Sequence, residues 1–129
     1  MSVNGLLIKN DIIEVNKGSS LETEFHFFTE EGKAFNLTDY TVFCWSVKAK
    51  AVTGGVLTIT ETPNANSSSI IKETPNELGV LLLTLSKEDV ALLDERENQE
   101  VFVKIEKASG EAKTFRYNDV LNVYANLCA

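Results

Sequence analysis

The chain has 129 residues, with 12 Lys and Arg against 19 Asp and Glu, one His and a formal net charge of −7. That length suits one domain, and 43% hydrophobic with 24% charged residues argues against disorder. The acidic balance, with no run of three basic residues, argues against nucleic-acid binding, which needs a basic surface that releases counterions. No apolar stretch approaches the roughly 20 residues of a membrane-spanning helix, so no membrane partner is expected.

Val, Ile and Thr together make up nearly a quarter of the chain. Their restricted χ1 rotamers favour pleated strands over helices. Residues 1–9 are read as an N-terminal arm of a single domain covering 1–129. With no basic segment followed by a long apolar one, this arm does not resemble a secretory leader, and synthesis in a cytosol is expected. A strand is predicted around Ile12 to Val15, and Asn16-Lys17-Gly18-Ser19-Ser20 is a turn cluster.

Leu21 to Thr29 alternates with period two, which places Phe25 and Phe27 on one buried face and Glu22, Glu24, His26 and Phe28 on the other. Gly32 supplies the turn that follows, and Ala34 to Leu37 is a short extended piece. Thr41 to Ala51 is the longest strand candidate. Thr41, Phe43, Trp45, Val47 and Ala49 share the core face; Val42, Cys44, Ser46, Lys48 and Lys50 share the other, whose first half is apolar enough to be covered.

Thr53-Gly54-Gly55 breaks the chain before a strand from Val56 to Thr62 that Pro63 ends. Asn64 to Ser69 is a polar loop, predicted to be the most mobile segment. Strands follow at Ile70 to Thr74 and Val80 to Leu85. Ser86 is a predicted N-cap for a helical turn over 87–94, with Asp89 in the position of the capping-box acid. Glu100 to Lys107 alternates with Val101, Val103 and Ile105 inward. Ala112 to Tyr117 returns as its hairpin partner, and Asp119 to Ala125 is the last strand. About eight strands, one short helical turn and regular turn signals predict an all-β antiparallel sandwich.

The chemistry-bearing residues are few. His26 lies between Glu24 and Phe28 on a polar strand face, without a nucleophile or orienting acid that the sequence can place beside it. Cys44 and Cys128 are expected to be free thiols in a reducing compartment and lack Cys-x-x-Cys spacing for zinc. The acidic stretch from Glu88 to Glu97 lacks the spacing of a calcium loop and is read as a solvated face. Glu22 and Glu24 stand about 7 Å apart, as on any polar strand face. Gly54-Gly55 is not followed by the Lys-Ser/Thr of a phosphate loop. No catalytic, metal-ligating or cofactor-binding set is therefore predicted, no cofactor is expected, and a small-molecule ligand is not expected. Phe25, Phe27, Phe43, Trp45 and Phe115 are predicted core. Phe28, Phe102 and Tyr124 fall on faces opposite core neighbours; with Val42 and Cys44 they are the candidate interface residues.

The order of strands and turns carries a resemblance. Glu31-Gly32-Lys33-Ala34-Phe35-Asn36-Leu37-Thr38 leads into the Trp45 strand. Leu78-Gly79-Val80 opens a strand that ends in Leu85-Ser86-Lys87-Glu88-Asp89, and Ser109-Gly110-Glu111 precedes the closing strand. Over about residues 10–125 this resembles the N-terminal domain of phage baseplate upper proteins, an immunoglobulin-like β-sandwich. The resemblance implies a non-enzymatic virion component of the tail or baseplate, docked to other virion proteins or to itself as a homo-oligomer. It carries over no catalytic residue. A carbohydrate- or receptor-binding sandwich using the loop from Asn64 to Ser69 is the alternative.

Overall fold

The computed structural model describes residues 2–3, 6–9 and 12–127. Two five-stranded sheets stack face to face. The first contains β1 (Ser2–Val3), β2 (Leu6–Lys9), β4 (Leu21–Thr29), β8 (Val80–Leu85) and β7 (Ser69–Lys72), in that spatial order. The second contains β3 (Ile13–Asn16), β10 (Ala112–Tyr124), β9 (Gln99–Lys107), β5 (Tyr40–Lys48) and β6 (Val56–Thr60). The order β2-β4-β8-β7 against β10-β9-β5-β6 is the A-B-E-D against G-F-C-C′ arrangement of immunoglobulin-like sandwiches. Within the arm expected over residues 1–9, Leu6–Lys9 join the first sheet as β2, paired with β4.

Alternation in the sequence becomes the core. Phe25 and Phe27 on β4 turn inward with no exposed surface, as do Leu81, Leu83 and Leu85 on β8. Trp45, Val103, Ile105 and Phe115 meet them from the second sheet. The Phe27 and Phe115 rings cross the gap at 5.4 Å, and Phe25 stacks on Tyr117 at 6.3 Å. Burying each such ring contributes roughly 1.5–3 kcal/mol. In antibody domains a disulfide joins the strands equivalent to β4 and β9. Here their inward positions hold Phe25 and Phe27 against Val101 and Val103, so apolar packing stands where the bridge would be.

Two expectations about the strands are corrected. The strands predicted at 112–117 and 119–125 are one strand, β10. It bends at Asp119, which adopts a left-handed φ of 58°, and its register with β9 shifts between Tyr117 and Leu121. Beyond that shift the strand turns to β3 and pairs with it in parallel, from Leu121 opposite Ile13 to Tyr124 opposite Asn16. Among the described residues that is the exception to an otherwise antiparallel sandwich, and it joins segments far apart in the chain. Thr41 is exposed rather than core, because the β5–β9 register also shifts between Tyr40 and Val42, and Tyr40 takes the buried position. The piece expected to be extended from Ala34 to Leu37 pairs through a bridge from Ala34 to Phe28, and its Leu37 N–H donates to the Asn76 carbonyl.

The helical turn is shorter than expected. Helix α1 covers Lys87–Val90, with Ser86 Oγ accepting the Asp89 N–H at 3.3 Å. Val90 and Leu93 still reach the core. An additional 3-10 turn, Asn76–Leu78, ends at Gly79. Of the cysteines, Cys44 is a free thiol, and Cys128 lies outside the described residues.

The Tyr117 hydroxyl is buried without a hydrogen-bond partner, and burial pushes its pKa far up. Removing a hydroxyl that has lost water and gained nothing relieves a cost. Tyr117→Phe is therefore expected to leave stability unchanged or raise it by up to about 1 kcal/mol, as measured by urea unfolding. A loss of stability would show that the hydroxyl has a partner after all.

Candidate interaction surface

Side chains at the even positions of β6, β9 and, from Val42 onward, β5 point away from the core and form the outer face of the second sheet. Pairing sets them in rows. Cys44 lies between Thr60 and Lys104, and Ser46 lies between Thr58 and Phe102. Val42 stands beside Glu106, and Lys48 beside Val56. The result is an uncharged strip, Val42-Cys44-Ser46 on β5 beside Val56-Thr58-Thr60 on β6. Val42 is 37% exposed and Val56 44%.

Charges line one side of this strip and are largely paired. Lys104 reaches Glu106 at 3.3 Å, and Arg116 on β10 bonds to Glu100. The Arg116 guanidinium also lies 6.0 Å from the centre of the Phe102 ring, a cation–π placement that half-covers the ring. Burial pushes the Cys44 thiol up despite the nearby Lys104 ammonium. It is protonated at neutral pH and a poor nucleophile.

Of the five candidate interface residues, the fold brings Val42, Cys44 and Phe102 together on this face. Phe28 faces outward on the first sheet, and Tyr124 lies at the end of β10. The Tyr124 hydroxyl donates to Glu14 Oε2 at 2.9 Å, which raises its pKa to about 12. These two residues do not belong to the strip.

The outer face of the first sheet is acidic. Glu24 accepts from the His26 ring at 3.1 Å and from Glu73, and both bonds lower its pKa. Glu73 is raised in turn, because its proton is held against the Glu24 carboxylate. Glu24 therefore has Glu73 and His26 as partners. Among the described residues, no group of three or more His, Cys, Asp or Glu side chains is placed to hold a metal ion.

One cluster escaped the sequence reading. Asp89, expected on a solvated acidic face, is 1% exposed. Its carboxylate accepts from Asn64 Nδ2 and Asn66 Nδ2, each at 2.9 Å, and from Ser68 Oγ. Asn64 Oδ1 in turn accepts the Asn66 and Ser68 N–H groups. The segment predicted to be the most mobile is thus tied to α1. The signal available in sequence was the pairing of an Asn-x-Asn-x-Ser loop with the Ser86-x-x-Asp89 cap.

No protein-family model and no curated protein matches the sequence. Among solved structures, the chain is similar to the N-terminal Ig1-2 module of the Drosophila receptor protein tyrosine phosphatase DLAR. The identity is 12% over 98% of this chain and 52% of that one, with a TM-score of 0.48. The chain thus spans about half the length of that module. It is also similar to murine CRIg, at 10% identity over 94% of this chain and 98% of that one, with a TM-score of 0.49. The immunoglobulin-like assignment rests on the strand order itself.

Proposed function

We propose that the chain is a non-enzymatic docking module of a phage tail or baseplate, bound to neighbouring virion proteins through the outer face of β5, β6 and β9. The uncharged strip from Val42 to Ser46 and Val56 to Thr60 carries this reading. Depletion of charge at the centre of a patch, with paired charges alongside, is the composition of a protein–protein interface. The sequence resemblance to baseplate upper proteins supplies the setting. Sugar recognition through the loop at 64–69 is disfavoured, because the side-chain amides of Asn64 and Asn66 already donate to Asp89.

The test is co-purification with tail particles of the phage that encodes the chain. Ser46→Glu places a charge in the middle of the strip and is expected to reduce incorporation at least about tenfold, equivalent to about 1.4 kcal/mol, with an unchanged thermal melt. Particles lacking the wild-type chain, or full incorporation of the variant, would overturn the reading.

A further inference from the structure

Sheet edges expose unpaired N–H and C=O groups, and proteins protect them with short strands, charges or covering loops. β1 has two residues, and β3 has four with the charged Glu14 among them. On β7, Lys72 bends inward and donates to the carbonyl oxygens of Leu37, Thr38 and Tyr40 at 2.9–3.2 Å, which fastens a loop beside that edge. β6 is nearly as short, at five residues, and lies near β7 of the other sheet, but its sequence holds no charged guard. It reads Val-Leu-Thr-Ile-Thr, without charge or proline.

The direction of its free groups follows from the ladder. Ala49 N–H donates to Gly55 C=O at 2.9 Å, so 49 and 55 form a hydrogen-bonded pair. Alternation then turns the backbones of Leu57 and Ile59 toward β5 and those of Val56, Thr58 and Thr60 toward the open edge. Their N–H and C=O groups have no backbone partner among the described residues.

We propose that β6 pairs antiparallel with β6 of a second copy, about a two-fold axis through Thr58. This register sets Val56 opposite Thr60 of the other copy and Thr58 opposite Thr58. All three edge-facing residues then meet as hydrogen-bonded pairs, and each pair exchanges both bonds. A register shifted to place the axis at Leu57 or Ile59 satisfies only two. The contact is self-complementary, as a two-fold interface requires.

Pairing would join the two second sheets into one continuous ten-stranded sheet and bring both uncharged strips side by side. It thus deepens the docking reading, on which it rests for the use of that face. The seam is much shorter than the roughly 1,200–2,000 Å² of a stable interface requires, so weak association is expected in dilute solution.

Sedimentation equilibrium of the full chain, up to about 1 mM, where a Kd in the micromolar range is fully populated, is expected to show a monomer–dimer equilibrium. Thr58→Lys sets like charges opposite each other and is expected to weaken it at least about tenfold. Val56→Lys combined with Thr60→Glu sets opposite charges across the seam and is expected to preserve it. All these positions are exposed, and thermal melts report whether each variant is folded. Thr58→Cys, with Cys44→Ser and Cys128→Ser, is expected to form a disulfide-linked dimer on mild oxidation, since paired Cα atoms stand about 5.5 Å apart. A chain that stays monomeric throughout, or a dimer indifferent to Thr58→Lys, would overturn the pairing. A monomer that still enters tail particles overturns the pairing alone; a dimer absent from particles overturns the virion reading alone.

Discussion

Asp89→Ala is expected to cost about 3 kcal/mol, seen as a drop in Tm of about 10 °C. The carboxylate accepts charge-assisted bonds from Asn64, Asn66 and Ser68, and Ser68 has no exposed surface. Removing the acceptor leaves the buried Ser68 hydroxyl with only its Ser86 contacts, strips the Asn64 and Asn66 amides of theirs, and frees the loop that joins β6 to β7. The same residue sets an acid limit. Burial raises the Asp89 pKa, but the bonds from Ser68, Asn64 and Asn66 outweigh it, and the net shift is below the ordinary 3.8. A lowered folded-state pKa means stabilisation that is fully present above the unfolded value and fades as pH falls through the folded one. The wild type is therefore expected to lose stability below about pH 4, whereas Asp89→Asn starts lower and declines less steeply. Urea unfolding between pH 2 and pH 7 measures both; parallel curves would show that the carboxylate is not linked to folding.

Gly79→Ala is expected to cost about 2–4 kcal/mol. Gly79 has a φ of 68°, and a Cβ there would lie 2.5 Å from the Phe35 carbonyl oxygen and 2.8 Å from that of Phe27. Both oxygens belong to backbone that cannot swing aside. The Phe27 N–H donates to the Gly79 carbonyl at 2.8 Å, and the Phe35 N–H donates to the Phe27 carbonyl at 2.9 Å. Any shift therefore strains the start of β8 and the end of β4 together. Gly55→Ala is the control. Its φ of 76° is similar, but nothing lies within 4 Å of the added methyl. Its cost is expected to be the backbone conformation alone, about 1–2 kcal/mol. Equal losses for the two variants would show that crowding at Gly79 is relieved.

What could be read in the sequence depended on how local its cause was. Strands β4 and β8 begin and end where alternation, Gly79 and the Ser86 cap place them, because side-chain period and caps act within a few residues. The inward sets on β4 and β9, and on β5 from Phe43 onward, follow from the same period, as does the outward placement of Val42, Cys44 and Phe102. Period cannot say which sheet a face belongs to, so in sequence Phe28 and Tyr124 look like residues that the fold places far from them. Asp119 resembles the start of a new strand, and only the pairing of β10 with both β9 and β3 shows that it is a bend within one. Asp89 resembles its solvated neighbours because its burial depends on a loop more than twenty residues earlier. The free edge of β6 is likewise a property of sheet order, while its lack of charge was visible from the start.

The parallel alignment of β3 with β10 has a mechanical consequence. Tension that draws β3 back toward its beginning and β10 onward toward its end slides one strand along the other. The hydrogen bonds from Ile13–Leu121 to Asn16–Tyr124 then share the load simultaneously, where an antiparallel hairpin pulled from its open end would peel one rung at a time. Stretched in that direction, the module resists as a shear clamp, and the first rupture falls at this short ladder.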